Sequence, residues 1–251
     1  MARRLLLATV AAGVLLVSLN LTGGAAFDPY TSGTSGYDFS YAQCGSSAPR
    51  AGFGIVGLNA GYPFTYYNSC LTAEFAAASR SGNAALYVNT GYDPSYTAVD
   101  GRHTTQDCAA ASQSIAADAS HQAAWAVGCS EAERDVTYAS TQGATSATAW
   151  WLDVETVNSW STTDLTLNQY AIQGLVATLR TAVSVPIGIY STASQWAAIA
   201  GAYQPGVDAD WLATGQSSLR RARSRCGSIG FTGAAVWLVQ YVSTYDHDYV
   251  C

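Results

Sequence analysis

Short apolar runs that alternate with helix-like stretches constrain this 251-residue chain more than any other feature. Seven runs read as strands: 36–40, 54–58, 84–89, 149–155, 186–190, 210–213 and 235–241. Between them, 71–80 and 168–182 carry apolar residues at helical period, with Tyr170, Leu175, Val176 and Leu179 on one face of the second. Residues 106–127 are alanine-rich and also read as helix. The sequence Ser130-Glu131-Ala132-Glu133 has the form of a capping box that starts another. Strands separated by helices pair in parallel through βαβ units. With seven or eight strands the expected fold is α/β, a single modified (β/α) barrel of TIM type. No G-x-G-x-x-G or Walker-type loop occurs, which argues against a nucleotide-binding α/β fold.

Residues 1–26 carry Arg3 and Arg4, an apolar run over 5–17, then Gly24, Ala25 and Ala26. This is the layout of a secretory signal peptide cleaved after Ala26. The run is short for a bilayer span. The expectation is a secreted, extracellular protein with no membrane attachment after cleavage. Residues 27–36 are polar and glycine-rich and are expected to be a flexible lead-in, with 37–251 as one barrel domain. Six cysteines (Cys44, Cys70, Cys108, Cys129, Cys226, Cys251) lie in the mature part. In an oxidising compartment an even number favours three disulfides over metal or nucleophile roles. None forms a C-x-x-C pair and the three histidines are far apart, so neither metal nor cofactor is expected. Six cysteines allow fifteen connectivities. Nearest-neighbour pairing, 44–70, 108–129 and 226–251, is the expected one.

Every basic residue is arginine, and the abundance of alanine and glycine reads as the signature of a G+C-rich bacterial genome. Without Arg3 and Arg4, nine arginines face seventeen acids, a net charge of −8. Such a chain repels phosphate backbones, which argues against nucleic acid as a partner. The cluster Arg220, Arg221, Arg223 and Arg225 reads as a solvated face.

The stretch Ala149-Trp150-Trp151-Leu152-Asp153-Val154-Glu155 carries the chemistry. Side chains alternate along a strand, so Asp153 and Glu155 project to one face above Trp151, while Trp150, Leu152 and Val154 meet the core. Two adjacent carboxyls resist double ionisation, which yields one acid and one anion. Glycoside hydrolysis uses such a pair. D-x-E alone is also the form of any solvated acidic strand end. In a parallel barrel, however, active groups gather where strands end. Asp38 lies near the end of the first strand, Tyr190 ends the fifth run, and Gln240 ends the seventh, followed by Asp246. Trp160, beyond the D-V-E turn, either stacks on a sugar or covers the core. Asp208 and Asp210 begin a strand and read as structural, and His247 reads as a surface or supporting residue.

Six segments carry a resemblance: G-Y-D-F-S-Y-A-Q (36–43), W-L-D-V-E (151–155), G-I-Y-S (188–191), W-L-A (211–213), W-L-V-Q-Y (237–241) and Y-D-H-D (245–248). Their order resembles that of family 25 glycoside hydrolases, secreted lysozymes of the N-acetylmuramidase type, over nearly the whole mature chain. It is also similar to glycoside-hydrolase-like barrels of secreted actinobacterial proteins. The resemblance implies a modified β/α barrel acting on the β-1,4 bond of peptidoglycan. It implies Glu155 as general acid and Asp153 as the carboxylate that stabilises positive charge or orients the N-acetyl group. Asp38 and Asp246 complete the acidic ring, and Gln43, Tyr190 and Gln240 shape a sugar subsite. The chain departs from the family pattern in V-G-L-N-A-G-Y (56–62), at Asn89 where a histidine is usual, and in the long segment 93–147. A monomeric hydrolase with a glycan substrate is expected, the alternative being a weak or inactive glycan-binding barrel of the cell envelope.

Overall fold

Eight strands close on one another in chain order. They are β1 (Ser35–Phe39), β2 (Gly54–Gly57), β3 (Ala84–Asn89), β4 (Trp150–Asp153), β5 (Ile187–Ser191), β6 (Ala209–Gln216), β7 (Ala235–Val242) and β8 (Asp246–Val250). The computed structural model describes residues 27–60, 66–116, 118–242 and 246–251, so the expected signal peptide over 1–26 lies outside the described residues. Strands β1 to β7 run parallel, as their spacing predicts. The eighth does not: β8 is antiparallel to both β7 and β1. Only three residues separate Val242 from Asp246, whereas a parallel crossover needs about a dozen. The fourth strand ends at Asp153, two residues earlier than expected, because the chain turns there. Asn158 Nδ2 donates to Asp153 O at 3.1 Å, and the Asn158 N–H to Glu155 O at 3.0 Å.

Helices α1 (Leu71–Ala78), α2 (Gln106–Ser112), α3 (Ala119–Thr141), α4 (Leu165–Ala182), α5 (Ala193–Ala200) and α6 (Leu219–Arg223) surround the barrel. Asp164 caps α4 by accepting the Thr166 N–H at 2.9 Å, and Ile172, Leu175, Val176 and Leu179 form its buried stripe. The expected helix over 106–127 is broken between α2 and α3. The latter starts after Asp118, whose carboxylate accepts the Ser120 and His121 N–H groups. The capping box at 130–133 therefore starts nothing. Ser130 lies mid-helix, donating to Ala126 O at 2.7 Å and accepting the Thr105 N–H at 2.9 Å.

Strand alternation sorts the core into two layers. Trp150, Leu152 and Val154 face outward and pack with Leu86, Val88 and the α4 stripe. Trp151, Trp211, Ile55, Ala85, Ala209 and Leu238 fill the interior. Full burial of each large apolar side chain contributes about 1.5–3 kcal/mol relative to exposure. The lead-in at 27–36, expected to be flexible, instead carries Tyr30 into the barrel floor. Tyr30 is buried against Phe53, and its hydroxyl accepts the Trp151 Nε1–H at 2.9 Å. Helices α3 and α4 meet at two glycines. A Cβ on Gly128 would lie 1.8 Å from Ala171 O, and one on Gly174 would lie 2.0 Å from Trp125 O. The three disulfides are Cys44–Cys70, Cys108–Cys129 and Cys226–Cys251, the nearest-neighbour set. Among the described residues no helix is long and apolar enough to cross a membrane.

Candidate active site

The C-terminal ends of β1 to β7 share one rim, and β8 starts there because it runs the other way. Asp38, Asp153, Tyr190, Gln240, Asp246 and Asp248 are therefore neighbours, although Asp38 and Asp248 are far apart in the chain. A line of hydrogen bonds joins three strands. Tyr190 Oη donates to Gln240 Oε1 at 2.8 Å, and Gln240 Nε2 donates to Asp38 Oδ2 at 3.0 Å. Below them Trp211 Nε1 donates to Asp248 Oδ1 at 2.8 Å. Tyr190 packs edge-on against Trp211, with ring centres 4.5 Å apart.

The acids lie close enough to oppose one another's ionisation. Burial, then the charges of Glu155 and Asp38, holds the Asp153 carboxyl well above the usual range. Asp153 is 6% exposed, and its Oδ1 has no hydrogen-bond partner among the described residues. Burial followed by repulsion from Asp246 raises Asp38 to about 7, against the opposing Gln240 donation. Asp248 is fully buried, and burial, then Asp38, pushes its pKa well up. Asp246 is raised by burial, offset by His247. An unpaired buried carboxyl stays neutral because desolvation penalises the charged form. Burial and its two acidic neighbours thus favour the neutral form of Asp153.

Glu155 lies just beyond β4. The Val154 N–H still reaches Tyr190 O at 3.0 Å, so the alternation carries past the strand end and Glu155 stays on the Asp153 side. Glu155 is partly exposed, and Gln195 Nε2 of α5 donates to its Oε1 at 3.1 Å. Its backbone oxygen accepts Trp160 Nε1–H at 2.8 Å. That bond and the packing of Trp160 against the cluster of Tyr92, Ala124, Val127 and Ala171 make it a brace for the turn. Its remaining face lines a side cleft of about 360 Å³ with Thr156 and Asn158.

Gln43 departs from its expected place in the sugar subsite. Its Oε1 accepts the Ser40 N–H at 2.9 Å, closing a capping box over the short 3-10 turn Tyr41–Gln43. The D-x-S-x-x-Q spacing therefore describes a turn that fixes the chain after Asp38. Asn59, within the departing segment 56–62, and Asn89 form one feature. Asn59 Oδ1 accepts the Asn89 N–H at 3.0 Å, and Asn59 Nδ2 donates to Asn89 O at 2.7 Å, clamping the ends of β2 and β3. Asp210 is structural, accepting the Thr232 N–H and hydroxyl at 3.0 and 2.7 Å. His247 stacks on Tyr241. Cys108, Cys129 and Glu133 have metal-like spacing among the described residues, but both sulfurs are in a disulfide.

No family model matches the chain, and no curated protein does. Solved structures match its fold. A bacterial lysozyme from Streptomyces coelicolor superposes with a TM-score of 0.52 at 14% identity, covering 88% of this chain and 93% of that one. A family GH25 lysozyme from Aspergillus fumigatus gives 0.54 at 15%, covering 87% and 93%. The modular autolysin LytC from Streptococcus pneumoniae, solved with a synthetic peptidoglycan ligand, gives 0.53 at 13%, covering 86% and 46%. The chain therefore has the barrel of the family 25 lysozymes, at identities that carry architecture alone.

Proposed function

We propose that the protein is a secreted glycoside hydrolase that cleaves β-1,4 bonds of peptidoglycan by carboxylate acid/base chemistry. The observation that carries this reading is the meeting of Asp38, Asp153, Glu155 and Asp246 at the C-terminal mouth of a lysozyme-type barrel. Glu155, the more open member of its couple, passes its proton to the glycosidic oxygen as the C1–O bond breaks. Asp153 is neutral and orients the N-acetyl group by donating a hydrogen bond. Asp38 ionises near neutrality beside the Gln240 donor and faces the developing positive charge. Water then adds to C1 and returns a proton to the site. Tyr190 and Gln240 hold the sugar ring's neighbourhood rigid.

Export belongs to the same reading: residues 1–26 direct it, residues 27–251 remain as one monomeric unit, and the disulfides suit an oxidising exterior. The test is release of reducing ends from purified peptidoglycan compared with chitin oligomers. Glu155→Gln lowers turnover on peptidoglycan at least about 100-fold with unchanged melting. A fully active variant removes the assignment. Saturable glycan binding by the wild type without product leaves the binding-only barrel, which the burial of Asp153 favours.

A further inference from the structure

We infer that Gln195 is the positioning residue of the Glu155 carboxyl, and that it decides which oxygen of that group carries the proton. The inference rests on the proposed acid role of Glu155. Gln195 sits in the first turn of α5, on an element the sequence gives no reason to join to the D-V-E turn. Its carboxamide oxygen accepts twice from the residue after Glu155, from the Thr156 N–H at 2.6 Å and from Thr156 Oγ1 at 3.0 Å. A backbone N–H only donates, so the amide cannot be turned round: its oxygen must face Thr156 and its NH2 must face Glu155. That NH2 donates to Glu155 Oε1 at 3.1 Å. A protonated Oε1 would be the poorer acceptor for that NH2, so whenever Glu155 is in its acid form the hydrogen sits on Oε2. The helix is anchored in turn: Thr192 caps α5 by accepting the Gln195 N–H at 3.0 Å, and Ser191 Oγ donates to Val154 O at 2.7 Å. One carboxamide therefore fixes the turn, the rotamer of the acid and the site of its proton, acting through Glu155 and Thr156.

Two substitutions in the mature chain test this. Gln195→Leu keeps the approximate size and removes all three side-chain hydrogen bonds. Gln195→Glu keeps an acceptor for Thr156 but replaces the donor with a second negative charge. In an active enzyme, kcat falls about 10- to 100-fold in Gln195→Leu with KM within about twofold. The alkaline limb of the rate profile moves to higher pH, further in Gln195→Glu than in Gln195→Leu, because losing a donor and gaining a like charge both favour the protonated neighbour. The side-chain carboxyl carbon of Glu155, followed by NMR, shifts its titration midpoint in the same order. That measurement needs no turnover, so a wild-type protein inactive on peptidoglycan defeats the functional reading and still leaves this inference to be decided. An unmoved Glu155 titration in both variants overturns it, and so does unchanged kcat in an active enzyme.

Discussion

Replacing Gly174 by alanine sets two measurable effects against each other. In a helix interior, alanine is better than glycine by about 0.8–1.0 kcal/mol, so propensity alone predicts a gain. The structure predicts a loss. The new Cβ would stand 2.0 Å from Trp125 O, whereas ordinary contact begins at 3.4 Å, so α3 and α4 must separate by roughly 1.4 Å. The obstacle is a backbone carbonyl and no side-chain rotamer relieves it. Gaps of 0.5–1 Å already forfeit a quarter to a half of each dispersion contact, and the apolar contacts of Val127, Ala171 and Leu175 lie along this seam. Overpacking of this kind costs about 1–3 kcal/mol or more, which exceeds the propensity gain at all but its lower end. For a domain of this size each kcal/mol moves Tm by about 2–4 °C. Thermal melting of Gly174→Ala should therefore show a drop of several degrees. Gln173→Ala, one residue away on the exposed face, should melt within about 1–2 °C of wild type. Gly128→Ala/Gly174→Ala should lose less than the sum of the singles, because the first opens the gap the second needs. A Gly174→Ala protein that melts at or above wild type would refute the close-approach reasoning.

The buried acids Glu131 and Asp135 give a pH prediction. Burial raises Asp135 to about 8, and burial, then Asp135, holds Glu131 well above its usual value, so the folded state keeps protons that the unfolded chain releases above about pH 4. The stability these two groups contribute is thus fully present below about pH 4 and is lost as pH rises toward 8, by about 1.4 kcal/mol per pH unit for each group. Urea midpoints that rise or stay level from pH 4.5 to 7.5 would contradict this, and Asp135→Asn should flatten the slope. Tyr30→Phe removes the acceptor of a buried indole N–H and should cost about 1–3 kcal/mol, read as a lower Tm. An unshifted Tm would show that the floor contact contributes nothing.

The parallel strands were legible because each is an apolar run bounded by turn residues. The eighth was not, because D-H-D-Y-V lines the mouth with polar side chains and has no apolar alternation to read. Asp248 escaped notice beside Asp246, although the reasoning that paired 153 with 155 applies equally to 246 and 248. The capping box at 130–133 misled because Glu131 points inward, where Thr90 Oγ1 donates to its Oε2 at 2.7 Å; that pairing depends on tertiary contact. The Tyr30 hydroxyl and the Gln195 carboxamide find their partners over a hundred and about forty residues away, separations that local pattern does not span. The small residues at 128 and 174 were visible inside helical patterns, but their mutual contact needed the helix crossing.

The reversal of the last strand has a practical side. Because β8 runs down the barrel, Ser32 Oγ donates to Cys251 O at 2.8 Å, and the lead-in to β1 and the end of β8 lie together on the face opposite the acids. Grafting the protein to a bead, a surface or a second module through either end leaves the same pole outward. The acid-lined mouth then faces the surrounding solution.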